Sequence, residues 1–177
     1  MNKKQFAILS FGNTLQKDEG IALYASKYLE SNYSFNPSVD IIHGSVEGMN
    51  LLNIMMQYEK IIVLDVIGIE DTPGSIYNFP MKEFRNLGSD ESSDEMGVLE
   101  CLNLLESRKE TLPDVTLLAI VPDNMDKEMG LSPILHHSHE AYVLNIVKTV
   151  DNKGFTYEEK EEKETLDSVI ESFSSRD

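Results

Sequence analysis

Apolar positions along this chain alternate between two spacings. Phe6–Phe11 is apolar at nearly every position, as a parallel-sheet strand is when both of its faces are covered. From Ile21 the spacing turns helical: Ile21, Tyr24, Ala25, Tyr28 and Leu29 share one side and predict a helix over about 19–32. Asn36-Pro37 breaks it. Val39–Ile42 follows as a second short strand ending at His43-Gly44, and Gly48–Gln57 places Met49, Leu52, Met55 and Met56 on one helical side. Ile61–Leu64 is the third strand and delivers Asp65 at its carboxyl end. Thr72-Pro73-Gly74 is a turn, with an edge strand expected over Ser75–Phe79. Leu87–Asp94 is polar and acidic, hence a loop, after which Val98, Leu99, Leu102 and Leu105 line a helix. Leu112-Pro113 ends that region, and Val115–Val121 is a strongly apolar strand. Ser132-Pro133 is a helix start, a capping serine with proline at the first helical position, and that helix should run to about Val150.

Strands alternating with helices predict an α/β fold with a mostly parallel sheet. Right-handed crossovers put the ends of its first three strands on one edge. Residues 1–150 read as one domain. Residues 151–177 carry nine acids against four bases and read as an acidic tail, helical or disordered, with no chemistry assigned.

Composition narrows the classes. A chain of 177 residues with 41% apolar content has room for one proper core. A net charge of −16 argues against nucleic acid or an anionic membrane as partner and favours a basic protein surface. The single Cys101 excludes an internal disulfide and a cysteine zinc cluster, and fits a reducing compartment. The start M-N-K-K-Q is basic, but the apolar run behind it is short and interrupted by Ser10, so we read no signal peptide. No stretch approaches the roughly 18 apolar residues of a membrane span. The expectation is a cytoplasmic protein.

The candidate chemistry lies at strand ends. In F-G-N-T-L-Q-K-D-E-G the first strand runs through a loop to Asp18 and Glu19, and Asp65 follows the third strand. Strands one and three are commonly neighbours at the switch point of such sheets, so the three carboxylates converge in principle. Clustered oxygens without thiolates suit a divalent metal or general acid–base work. The plain structural alternative makes Glu19 a helix-start acid favoured by the helix dipole, and Asp65 a cap. His43 closes strand two on the same edge; His136 and His137 face solvent, and His139 flanks the core. A phosphoacceptor receiver domain also uses acids after strands one and three. Here, however, the acids come six residues beyond Gly12, and Val115–Val121 is followed by Pro122-Asp123 rather than lysine. Gly12-Asn13 lacks the spacing of a dinucleotide loop.

Several ordered motifs together make the chain resemble the hydrogenase maturation proteases, over about residues 4–150. They are F-G-N-T-L-Q-K-D-E-G-I-A, G-S-V-E-G-M-N-L-L, I-I-V-L-D-V-I with Asp65, and A-I-V-P-D followed by G-L-S-P. The resemblance implies a three-layer fold, a mostly parallel twisted sheet of about five strands flanked by helices. It also implies an endopeptidase without a serine or cysteine nucleophile, which removes the C-terminal extension of a nickel–iron hydrogenase large-subunit precursor. In that family an acid of the first motif and an aspartate after strand three bind metal and map onto Glu19 and Asp65, the implied catalytic pair. The family's histidine ligand falls on Asp94 here, and its aspartate after strand two is replaced by His43. Two completions follow: His43 supplies the missing imidazole, or Asp94 is itself an oxygen ligand. The implied metal is nickel carried by the substrate, with no organic cofactor, and the implied partner is the large-subunit precursor, met by a monomer. The competing function is a non-proteolytic, metal-sensing assembly factor on the same fold.

Overall fold

A computed structural model describes residues 3–43, 48–87 and 94–174. The central sheet contains β1 (Lys4–Ser10), β3 (Asp40–His43), β4 (Tyr58–Val66), β5 (Ile76–Pro80) and β6 (Asp114–Ile120), in the order β3-β1-β4-β6-β5. All neighbours pair in parallel except β5, which runs antiparallel to β6 at the edge. The helices are α1 (Ile21–Asn32), α2 (Gly48–Gln57), α3 (Asp94–Ser107) and α4 (Pro133–Asn152). This is the three-layer arrangement of five strands that the resemblance implied. Strands one and three of the sequence reading, now β1 and β4, are direct neighbours, with Ser10 level with Leu64. On the other side of β1, Ser10 is level with His43.

The pleat divides the core into two layers. On one face Leu9, Val63 and Leu117 meet Leu52 and Met55 of α2 and Leu102 of α3. On the other, Ile8, Ile62 and Leu118 meet Ala25 and Leu29 of α1 and Tyr142 and Ile146 of α4. Burying each large side chain stabilises the fold by about 1.5–3 kcal/mol, so both layers hold the strand ends in fixed register. Ser132 caps α4 as its sequence predicts: its hydroxyl accepts from the Leu135 N–H at 3.3 Å, and Pro133 takes the first helical position.

The tail is more ordered than its composition suggests. β2 (Tyr33–Asn36) and β7 (Thr156–Glu159) form a separate antiparallel pair, and α5 (Leu166–Ser174) lies against α1. Three contacts pin this segment. Phe155 packs edge-on against Phe6 with ring centroids 5.0 Å apart. The buried Asn32 amide accepts from the Glu164 N–H at 2.7 Å and donates to the Glu164 carbonyl at 3.0 Å. Val169 of α5 is fully buried. The acidic loop expected at Leu87–Asp94 lies, apart from its ends, outside the described residues, as does Gly44 after β3. No helix among the described residues is long and apolar enough to cross a membrane.

Candidate active site

The loop after β1 folds back onto its own beginning. Phe11 donates its N–H to the Leu64 carbonyl at 3.0 Å, so the chain leaves β1 alongside β4. The Asn13 N–H donates to the Glu19 carbonyl at 3.1 Å, and the Glu19 N–H donates to the Gln16 carbonyl at 3.1 Å. Gly12 makes this closure possible. A Cβ there would overlap the Glu19 carbonyl oxygen, and its φ of +156° is one that L side chains rarely adopt. Glu19 sits half-buried in a 3-10 turn, Lys17–Gly20, that packs against β4. Asp65, only 5% exposed, lies at the end of β4 and accepts the Val66 N–H at 2.8 Å. Glu19 and Asp65 therefore lie at or beyond the carboxyl ends of adjacent parallel strands, with Phe11 bonded to the residue before Asp65 and Gly12 packed on the Glu19 backbone.

Asp18 does not join them. Its carboxylate is fully buried and accepts from the Asp123 N–H at 2.9 Å, the Asn124 N–H at 2.8 Å, the Ser132 N–H at 2.7 Å and the Ser132 hydroxyl at 2.8 Å. Asp18 is thus removed from the expected carboxylate group, because four donors from the segment joining β6 to α4 claim it. Asp18 acts as a brace. Its neighbour Lys17 adopts a φ of +45°, unusual for a residue with a side chain, and its N–H donates to the Glu128 carbonyl at 2.6 Å. Sequence reasoning missed this role, since a carboxylate and its donors separated by more than a hundred positions leave no local pattern.

His43 is also drawn elsewhere. In β3, Ile42 packs on the α2/α3 face and Ile41 on the α1/α4 face, so parity turns His43 towards α1. There its Nε2 lies 2.7 Å from Glu30 Oε2, and that hydrogen bond holds the Glu30 carboxyl below its ordinary range. Asp65 shares its parity with Val63 and Ile67, both on the α2/α3 face. The structure does not bring the His43 ring to the acid pair. Asp94 opens α3, the helix covering the face on which Asp65 lies; its side chain is outside the described residues. Of the other histidines, His136 and His137 are exposed and His139 is buried. The Cys101 thiol is pushed up mainly by burial, which suits packing rather than nucleophilic work.

Two carboxylates on one sheet edge can offer oxygens to a cation or take a proton from water. Among the described residues, no group of three histidine, cysteine or acidic side chains is arranged to hold a metal ion.

Known proteins share the fold and are related in sequence. The hydrogenase 2 maturation protease of Escherichia coli K12 is 25% identical over 149 residues, 83% of this chain and 91% of that protein. The structure of the E. coli hydrogenase-maturating endopeptidase HybD superimposes with a TM-score of 0.78 at 23% identity, covering 89% of this chain and 98% of that one. A nickel–iron hydrogenase maturation protease, HybD of Thermococcus kodakarensis, gives 0.62 at 23% identity over 82% of this chain and 98% of its own. The profile of the hydrogenase maturation proteases matches residues 23–149, most of the folded chain, and the protein belongs to that family.

Proposed function

We propose that this protein is an endopeptidase that removes the C-terminal extension of a nickel–iron hydrogenase large-subunit precursor after nickel insertion. The observation that supports this reading is that Glu19 lies on the segment leaving β1 and Asp65 at the carboxyl end of β4, and these strands are neighbours in the sheet. Open parallel sheets bind and react at that edge. The E. coli relative is a hydrogenase 2 maturation protease by name, and this chain spans 91% of it.

Nickel enters as part of the substrate. Carboxylate oxygens from Glu19 and Asp65 fill positions that the precursor's own ligands leave open, and the ion reports that assembly is complete. Asp94, at the start of α3, is the third donor in this proposal. Where the family carries histidine, an aspartate makes the site harder and weakens its preference for nickel over hard cations. Glu19 and Asp65 hold the precursor so that the scissile bond lies beside them, and one of the two takes a proton from the attacking water. The Asp94 departure also motivates a second reading, a factor that binds the loaded precursor without cutting it.

Incubating the purified protein with nickel-loaded and nickel-free precursor tests both, with mass spectrometry of the large subunit as readout. Loss of the extension only from loaded precursor, abolished by Glu19→Gln and by Asp65→Asn, is the expected result. A stable complex without cleavage supports the binding factor. Neither cleavage nor complex would sink both readings.

A further inference from the structure

Beside the Glu19 loop lies a hollow of about 400 Å³ lined by Asn13, Leu15, Gln16, Lys127, Glu128 and Met129. Leu15 is 64% exposed at its mouth. The backbone on both sides of this leucine is fixed by hydrogen bonds. Its N–H donates to Asn13 Oδ1 at 2.9 Å, and the loop beyond it is bolted to the opposite wall by the Lys17 N–H bond to the Glu128 carbonyl. Lys17 Nζ adds an ion pair to Glu128 Oε2 at 3.2 Å, and Asp18 fixes Asp123, Asn124 and Ser132 behind that wall. The wall is stiffened again by the Asp126 N–H bond to Asn124 Oδ1 at 2.8 Å. Met129 also lines the hollow, and its unbranched thioether adapts to the shape of what it meets.

The hollow is lined in part by the loop that carries Glu19. Two of its lining residues, Asn13 and Gln16, hydrogen-bond the backbone of Glu19 directly. A bound peptide in extended form advances about 3.3 Å per residue and alternates its side chains. A peptide crossing the Glu19 loop presents one of its alternating side chains to Leu15 and Met129.

We propose that this hollow is a substrate subsite, receiving one bulky aliphatic side chain of the precursor segment next to the cleaved bond. Lys127 and Glu128 form a polar rim of both signs that keeps the apolar contact local, the anatomy of a small docking site with an apolar centre. The inference rests on the proposed proteolytic reading and adds to it a residue that sets substrate preference. Leu15 acts through binding, not through the reacting atoms.

The test uses the full chain as wild type and as Leu15→Ser, Met129→Ser and Leu15→Met, with nickel-loaded precursor as substrate. Leu15→Ser and Met129→Ser should raise KM about tenfold with kcat within about twofold, the discrimination typical of a lost aliphatic contact. Leu15→Met should retain the wild-type KM, and melting temperatures should stay level for Leu15→Ser. An unchanged KM, or an equal fall in kcat, overturns the subsite and leaves the roles of Glu19 and Asp65 standing. If the wild type binds precursor without cutting it, the proteolytic reading fails and Kd replaces KM, with the same tenfold loss required. A wild type that neither cuts nor binds overturns both. A wild-type dimer in light scattering that Leu15→Ser dissolves assigns the hollow to a second copy and overturns the proposal.

Discussion

Ser132 donates both its backbone N–H and its hydroxyl to the carboxylate of Asp18, at 2.7 and 2.8 Å. The same hydroxyl oxygen caps α4 by accepting from Leu135. One serine thus ties the turn that carries Glu19 to the start of the longest helix, and Asp18 is the anchor on the other side.

Asp18→Asn should be strongly destabilising. The substituted amide would turn N–H groups towards donors from Asp123, Asn124 and Ser132, losing the charge-assisted bonds and leaving buried donors unpaired. The expected loss is about 3 kcal/mol, read as a shift of the urea midpoint. Ser132→Ala removes one hydroxyl bond and one cap and should cost less, about 1–2 kcal/mol. If both variants lose the same amount, Asp18 is not the organising residue.

Gly12→Ala tests whether the Glu19 loop depends on close backbone approach. The added methyl would meet the Glu19 carbonyl at a φ where alanine is strained, so the turn must shift. We expect about 2–3 kcal/mol of lost stability and a fall in kcat larger than that of Leu15→Ser. A fully active Gly12→Ala enzyme would show that the position of Glu19 is not critical.

What was legible in the sequence was local. The apolar run at Phe6, the block Ile61–Leu64 and the pair Ser132-Pro133 each carry their structural instruction within a few residues, and each lies in or beside the element it predicts. Glu19 and Asp65 stand out as candidates because strand ends are marked by where apolar runs stop. His43 was placed on the right edge, but a single step of strand parity decides which face it serves, and a four-residue strand does not reveal its parity. Asp18 looked like a partner of Glu19 because adjacency in sequence says nothing about which donors wait across the fold. β7, with the sequence T-Y-E-E, has no alternation to read; its order comes from neighbouring anchors such as Phe155 and the Asn32–Glu164 bonds.

His139 should make stability depend on pH. The ring is 3% exposed, edge-on to Tyr28 at 5.1 Å, and its Nε2 is buried with no hydrogen-bond partner among the described residues. Burial, assisted by nearby His136, lowers its pKa from 6.5 to about 4. Between those values the unfolded chain binds a proton that the folded chain refuses. Stability is therefore complete above the unfolded pKa and declines as pH falls through the window, by about 3 kcal/mol in total. His139→Phe keeps the contact with Tyr28 and removes the proton, so its urea midpoint should lose about one proton's worth of slope over the same range. An identical slope in the variant would show that other groups carry the dependence.

The last prediction concerns the tail, which meets Tyr24 of α1. Phe173 of α5 lies edge-on to Tyr24, with ring centroids 5.3 Å apart at 81°. The Tyr24 ring presses on Gly20 so closely that a Cβ there would lie 3.0 Å from it, and its hydroxyl accepts from the Gly130 N–H at 3.3 Å. Gly20 closes the turn holding Glu19, while Gly130 lies on the segment that Asp18 braces. Tyr24 therefore touches both the turn holding Glu19 and the segment that Asp18 braces, and α5 packs on its ring. Phe173→Ala removes this packing without altering either segment, at a stability cost of about 1–2 kcal/mol for a half-buried ring. If α5 only adds stability, the folded variant should cleave precursor at the wild-type rate well below its melting temperature. Because Tyr24 couples the tail to both loops, we expect KM to rise several-fold under those conditions, measured where circular dichroism shows the variant fully folded.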